Sequence, residues 1–307
     1  MSFIRSKCVA LAASLLFIAL QLSAVSPAKA AGAFYATQAL QSQAPNAFAL
    51  QPQASAFIAT ARARTIEDGD KLVAAILAEP DLVTALSQWR ELAIEQQIPF
   101  LRKIFALEYQ TMAITPPKLV IDNHSYPNKM VYFDFDLAHL SPLTAESKLS
   151  SGVVYLNPDK LAQQDKFASL AFLIHETRHS YQFQLSQQQH ADSENRQLAA
   201  GYSAAFTAQK TLKGFGFSDF LTLLNEYEAF QYGNYVLGQL TQWQLDLTNM
   251  GTFASQFDHR GQLKIDLLAL SKSQIHGDSS ADKPTLLEQY NRAAKRQYQQ
   301  RQAAKAL

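Results

Sequence analysis

The most informative stretch of the sequence is an apolar run that continues into a pair of histidines: Leu170-Ala171-Phe172-Leu173-Ile174-His175-Glu176-Thr177-Arg178-His179-Ser180-Tyr181-Gln182. Apolar residues at every position from 170 to 174 predict a helix that is buried on all sides. His175 and His179 are four residues apart, so on a helix both side chains lie on the same face, one turn apart. The stretch therefore predicts a core helix that brings two imidazoles into the protein interior.

Five of these residues, His175-Glu176-Thr177-Arg178-His179, form the H-E-x-x-H pattern of zinc peptidases. Two imidazoles on one helix face bind one Zn²⁺, and Glu176 lies about 100° around the helix, within reach of a metal-bound water. We expect His175 and His179 to be metal ligands and Glu176 to be the catalytic general base. A surface pair of histidines with an exposed Glu is the alternative, but such a pair is more typical of a polar helix.

A catalytic zinc ion usually has three protein ligands, and the third is predicted on a second core helix that includes residues 223–233. Glu226 and Glu228 are the two candidates on this helix. They point about 200° apart, so both cannot face the histidines. Glu226 is favoured because Ala229 and Gly233 lie on its face, where small residues let another helix approach closely.

The order of the predicted elements is helices, then a short β-rich part, then more helices. A helical N-terminal part covers residues 63–115, and strands are predicted at 119–121, 130–135 and 152–157. Further helices are predicted at 163–188, 192–212, 217–248 and 284–305. This order predicts an α+β fold that is mainly helical.

The motif with the downstream Asn225-Glu226 resembles the gluzincin group of zinc metallopeptidases, in which the third ligand is a Glu on a later helix. The segment Glu226-Tyr227-Glu228-Ala229, with Gly233, is similar to the third-ligand helix of peptidases related to the CAAX prenyl protease. Those peptidases have Asp where this chain has Phe230, and a carboxylate commonly orients a metal-binding His. The resemblance covers about residues 150–235.

The resemblance also implies a zincin-like catalytic core, with a small β-sheet and a buried HExxH helix. In zincins generally, an edge strand just before the motif helix pairs with the substrate backbone. By resemblance we expect this role for the strand Val153-Val154-Tyr155-Leu156, with an ordinary paired strand as the alternative. An edge strand offers unpaired backbone N–H and C=O groups to an extended peptide.

Residues 1–30 predict a secretory signal peptide. Arg5 and Lys7 precede an apolar run, which ends at Ala28-Lys29-Ala30 with cleavage expected near Ala30. The run is short for a membrane-spanning helix and no later stretch is apolar enough to span a membrane, so we expect no transmembrane segment in the mature chain. Residues 31–62 are rich in Ala and Gln and predict a flexible leader or linker. Residues 63–307 are expected to form a single catalytic domain that ends in a basic helix at 284–305.

Composition excludes several kinds of site and partner. The net charge of the 307 residues is +1, which removes the strongest reason to expect a nucleic-acid partner. Cys8 is the sole cysteine and lies in the predicted signal peptide, so a cysteine-based metal site is excluded.

From the motif, the resemblance and the signal peptide together, we expect an exported, periplasmic or secreted zinc metallopeptidase with one Zn²⁺ per chain and a peptide or protein substrate.

Two matters stay open at this point. The alternative function is a non-catalytic periplasmic protein that binds a peptide or the cell wall and has a degenerate or structural metal site. The donor that would stabilise the oxyanion is not identified by the sequence, although Tyr232 and four other histidines are candidates: His124, His139, His259 and His276.

Overall fold

The structure is a computed structural model that describes residues 35–135, 151–188, 193–245, 256–275 and 284–305. The predicted signal peptide lies outside the described residues. Helices and strands follow one another along the chain as α1 Gln38–Gln41, α2 Ser55–Leu77, α3 Pro80–Ser87, α4 Ile94–Thr111, β1 Lys118–Ile121, β2 Val131–Asp134, β3 Val153–Leu156, α5 Pro158–Leu161, α6 Ala168–Ser186, α7 Ser193–Thr211, α8 Phe217–Leu221, α9 Leu224–Leu240, α10 Leu267–Ile275 and α11 Leu286–Lys305.

The fold is mainly helical (64%) with one small sheet, which confirms the predicted α+β class. All three predicted strands are present, each within two residues of its predicted bounds. Their β-branched and aromatic residues favour extended backbone. Among the described residues, no helix combines the length and the apolar character needed to cross a membrane.

The sheet has the strand order β1-β3-β2. β3 pairs in parallel with β1 and antiparallel with β2, so it is the central strand. The expectation that Val153–Leu156 is a substrate-binding edge strand is therefore wrong, because both of its backbone edges are already paired. All four of its residues are buried, as expected for a central strand packed on both faces.

Helix α6 lies at the centre of the molecule. Every residue from Ala168 to Gln182 is buried, which matches the apolar run that precedes the histidines. The helix packs against α4, α7, α9, β2 and β3. Helix α9, in turn, packs against α2, α6 and α7. The motif helix and the candidate third-ligand helix are therefore direct neighbours in the core.

The segment predicted to be a flexible leader is packed into the core from residue 35 onward. Ala47, Phe48 and Ala49 are fully buried, and the backbone N–H of Ala49 donates to the carbonyl of Thr222 at 2.7 Å. Phe48 and Leu223 form an isolated antiparallel bridge. The low charge of this segment reflects burial rather than flexibility, so the sequence prediction for 35–62 is wrong. Helix α2 already begins at Ser55.

The same contact explains why the predicted helix 217–248 is two helices. α8 ends at Leu221 and α9 begins at Leu224. Between them, Leu223 adopts a non-helical conformation and pairs with Phe48. Glu226 consequently lies in the first turn of α9, where the helix dipole favours a negative charge.

Candidate metal centre

His175 and His179 lie one turn apart on α6 and point to the same place. Both are buried, with 3% and 4% of their surface exposed. Their Nε2 atoms are 3.0 Å apart, and the two rings are nearly perpendicular. The spacing of four residues on a buried helix therefore produces the convergent pair of imidazoles that the sequence predicts.

Glu226 faces both histidines from α9. Its Oε2 atom lies 3.4 Å from Nε2 of His175, and its Oε1 atom lies 3.4 Å from Nε2 of His179. The side chain is buried to the same degree as the histidines. Three donor groups from two helices thus meet at one buried point.

The separations between these donor atoms fit zinc. In a tetrahedral site with bonds of about 2.0–2.1 Å, neighbouring ligand atoms lie about 3.3 Å apart. The observed separations are 3.0, 3.4 and 3.4 Å. Two imidazole nitrogens and a carboxylate are also a common ligand set of catalytic zinc. The residues present therefore fit the metal that the motif implies.

The pKa values of the three groups favour an ionised carboxylate beside the two imidazoles. Burial lowers the pKa of His179, but the charges of Glu226 and Glu176, together with hydrogen bonds to Glu226 and Gln182, raise it to about 9. Burial raises the pKa of Glu226, but the charge of His179 and hydrogen bonds from both imidazoles hold it at about 2. Burial and the charge of His179 both lower the pKa of His175. The carboxylate therefore stays ionised beside the two ring nitrogens.

Glu176 adjoins the cluster from the same helix. One nitrogen of each motif histidine and a carboxylate oxygen of Glu176 all lie within 4.8 Å of one another. Burial raises the pKa of Glu176 to about 8, although the charges of His179 and Lys129 act in the opposite direction. The backbone of Phe133, on β2, contributes a hydrogen bond to this carboxylate. Glu176 thus lies between the histidines and strand β2.

Glu228, the competing candidate, points away from the histidines. Its Oε1 atom lies 2.9 Å from Nη2 of Arg178 and accepts a hydrogen bond from Thr65 at 2.8 Å. Arg178 also donates to Asp68 at 2.8 Å, and its guanidinium stacks on the ring of Tyr232 at 4.4 Å. The structure therefore brings Glu226, rather than Glu228, together with His175 and His179.

The remaining candidates lie elsewhere or outside the described residues. Tyr232 faces the buried guanidinium of Arg178. His124 and His259 are exposed in loops, and His139 and His276 lie outside the described residues. Phe230, where the resembling peptidases have Asp, packs its ring 4.4 Å from the ring of His175. Position 230 therefore supplies an apolar contact in place of a carboxylate.

Sequence reasoning missed two glutamines that contact the cluster. Gln182 hydrogen-bonds Nδ1 of His179 at 2.8 Å, and Gln209 donates to Glu226 at 2.7 Å. Gln182 could have been predicted, because a residue three positions after His179 on the same helix lies beside it. Gln209 lies on α7 with no local motif around it, so the sequence offered no such signal.

Comparison with known proteins adds no assignment, because no family model, no curated protein and no solved structure matches the chain.

Proposed function

We propose that this protein is an exported zinc-dependent metallopeptidase that hydrolyses peptide bonds. The observation that supports the proposal is the convergence of His175, His179 and Glu226, whose donor atoms have the separations of a tetrahedral zinc site. One zinc ion per chain is held by these three side chains. A bound zinc ion supplies a Lewis acid for the scissile carbonyl and lowers the pKa of water toward about 7.

Glu176 is the general base in this proposal. It is buried beside the two histidines without being needed as a ligand, which leaves its carboxylate available for proton transfer. The positive charge of a bound zinc ion would lower the pKa of Glu176 and ionise it, so that its carboxylate would accept the proton of the attacking water and pass it to the leaving amine. Hydrogen bonding with the backbone of Phe133 orients the carboxylate for this transfer.

The proposal is tested with the full chain and two variants. Metal content is measured by mass spectrometry after dialysis, and hydrolysis is measured on a mixed peptide library. We expect about one zinc ion per chain in the parent and in Glu176→Gln, with hydrolysis reduced by at least 10²-fold in Glu176→Gln. Glu226→Gln is expected to lose most of its metal, because the carboxylate is one of three ligands.

Glu95→Gln is the matched control, since Glu95 is exposed on α4. It should retain both zinc and activity. A parent protein without stoichiometric zinc, or a Glu176→Gln variant that is as active as the parent, would contradict the proposal. The first result would favour the non-catalytic binding protein.

A further inference from the structure

Two of the proposed ligands also contact neutral amide side chains. Gln182 meets Nδ1 of His179, and Gln209 meets Oε1 of Glu226. A metal-binding His usually has a carboxylate, a backbone carbonyl or water at this place. The orientation of each amide matters, because it decides whether the amide offers its acceptor oxygen or its donor NH₂ group to the ligand.

The orientation of Gln182 is fixed by two acceptors. Its Nε2 atom donates to Oε2 of Glu228 at 2.6 Å and to the backbone carbonyl of Asn225 at 2.9 Å. The opposite amide orientation would place its oxygen against two other oxygens. Gln182 therefore offers Oε1 to His179, and the Nδ1–H group of His179 donates a hydrogen bond to this oxygen. In the neutral ring, Nε2 then keeps its lone pair for a metal ion.

Glu228 is itself held in place by Arg178. The guanidinium Nε atom donates to both carboxylate oxygens, at 3.0 and 3.2 Å. Because Arg178 also belongs to the motif helix, the acceptor that orients Gln182 is tied to the helix that carries His179. A continuous chain of hydrogen bonds runs from Arg178 through Glu228 and Gln182 to His179.

Glu226 has a matching arrangement. Gln209 donates from Nε2 to Oε1 of Glu226 at 2.7 Å. The oxygen of Gln209 accepts a hydrogen bond from Nδ2 of Asn225 at 2.8 Å. Asn225 thus holds Gln182 with its backbone and Gln209 with its side chain, and it directly precedes Glu226 in the chain.

We propose that Gln182 and Gln209 are positioning residues of the metal site. They hold His179 in the tautomer that has its proton on Nδ1 and its lone pair on Nε2, and they hold Glu226 in its ligating orientation. The inference rests on the proposed function. It assigns to two neutral amides, joined through Asn225, the orienting role that a carboxylate takes in many zinc sites.

The test measures metal binding rather than hydrolysis. Zinc affinity is determined by competition with a chromophoric chelator, and the visible absorption of Co²⁺ reports the coordination geometry. We expect Gln182→Leu and Gln209→Leu to bind zinc about 10–100-fold more weakly than the parent, with a changed Co²⁺ spectrum. Gln184→Leu is the matched control, because Gln184 lies on the same helix but bonds Thr115 and Ser180.

Gln182→Glu separates positioning from packing. A Glu at position 182 still accepts a hydrogen bond from the Nδ1–H group of His179, but it faces the carboxylate of Glu228 and so should lower the melting temperature. If Gln182 positions His179, the parent should bind zinc most tightly, Gln182→Glu less tightly and Gln182→Leu least tightly. If Gln182 only supports the fold, zinc affinity should follow the melting temperature, and Gln182→Glu should bind zinc least tightly.

Failure of this inference can be told apart from failure of the proposed function. A parent that binds no zinc overturns both. A parent that binds zinc, with Gln182→Leu and Gln209→Leu binding it as tightly as Gln184→Leu, overturns the inference alone.

Discussion

At the scale of single residues, Arg178 shows how the motif serves packing as well as chemistry. Its side chain is fully buried, and it pairs with Asp68 and Glu228. Removing one partner of a buried ion pair typically costs about 3–5 kcal/mol, because the other charge is left uncompensated. The sequence places Arg178 on the core helix, but Asp68 is 110 residues away along the chain, so no local pattern could reveal the pair.

The buried carboxyl of Glu108 gives a prediction about pH. Burial raises its pKa well above the ordinary value of 4.5, while the charge of Arg178 acts in the opposite direction. The contribution of Glu108 to stability is therefore fully present below about pH 4.5 and is lost as the pH rises through the folded-state pKa. Glu108→Gln stays neutral, so it should become more stable than the parent as the pH rises above 4.5, by up to about 1.4 kcal/mol per pH unit.

Urea unfolding at several pH values between 5 and 8 measures this difference. Glu95→Gln serves as the control, since Glu95 is exposed on the same helix. A stability difference between Glu108→Gln and the parent that does not change with pH would show that Glu108 does not hold its proton in the folded protein.

At the scale of elements, periodicity predicted the strands and the core helices because their patterns are local. The run at 170–174 identifies α6 as buried, and the small residues Ala229 and Gly233 are buried on α9, the helix that packs against it. The strand order was not predictable, because parallel pairing of β1 with β3 depends on the path of the chain between them. The division between α8 and α9 was missed for a similar reason, since it depends on the distant Phe48.

The packing of α7 against α2 depends on Gly201. A Cβ atom at this position would overlap the ring of Phe57 and lie 3.1 Å from Leu224. Overpacking of this kind lowers the free energy of unfolding by about 1–3 kcal/mol, whereas the better helix propensity of Ala raises it by about 1 kcal/mol. We expect Gly201→Ala to lower the melting temperature, with unfolding followed by circular dichroism.

A double variant tests the cause. Phe57→Leu removes the ring that the new methyl group meets, so Gly201→Ala should be less harmful in the Phe57→Leu background than in the parent. Ser203→Ala, at an exposed position of the same helix, should change stability by less than about 0.5 kcal/mol. Additive effects of the Gly201 and Phe57 changes would exclude the contact as the reason.

At the scale of the whole molecule, the segment 35–54 joins parts that are distant in the sequence. Its backbone contacts Thr222 and Leu223 just before the helix that carries Glu226. Composition alone could not distinguish this segment from a linker, because Ala and Gln are common in both settings and the partners lie more than 150 residues away. Gln41, for example, is buried and hydrogen-bonded to Asp219 and Thr222.

Phe48→Ala tests whether this segment is part of the core. Because Phe48 is fully buried, its truncation should lower the free energy of unfolding by about 3–5 kcal/mol, measured by chemical denaturation. Gln43→Ala, at an exposed position of the same segment, should have little effect. Equal stability of Phe48→Ala and the parent would restore the interpretation of 31–62 as a flexible leader.

The two hydrogen bonds between Asn291 and the backbone of Ala36 have a consequence for the order of folding. They join residues 255 positions apart, from the first described segment to helix α11. During synthesis, the segment around Ala36 emerges early but must wait for α11 before this contact can form. Contacts of such high sequence separation form slowly, because a long loop must close first. We therefore expect the docking of α11 against this segment to be among the last events of folding.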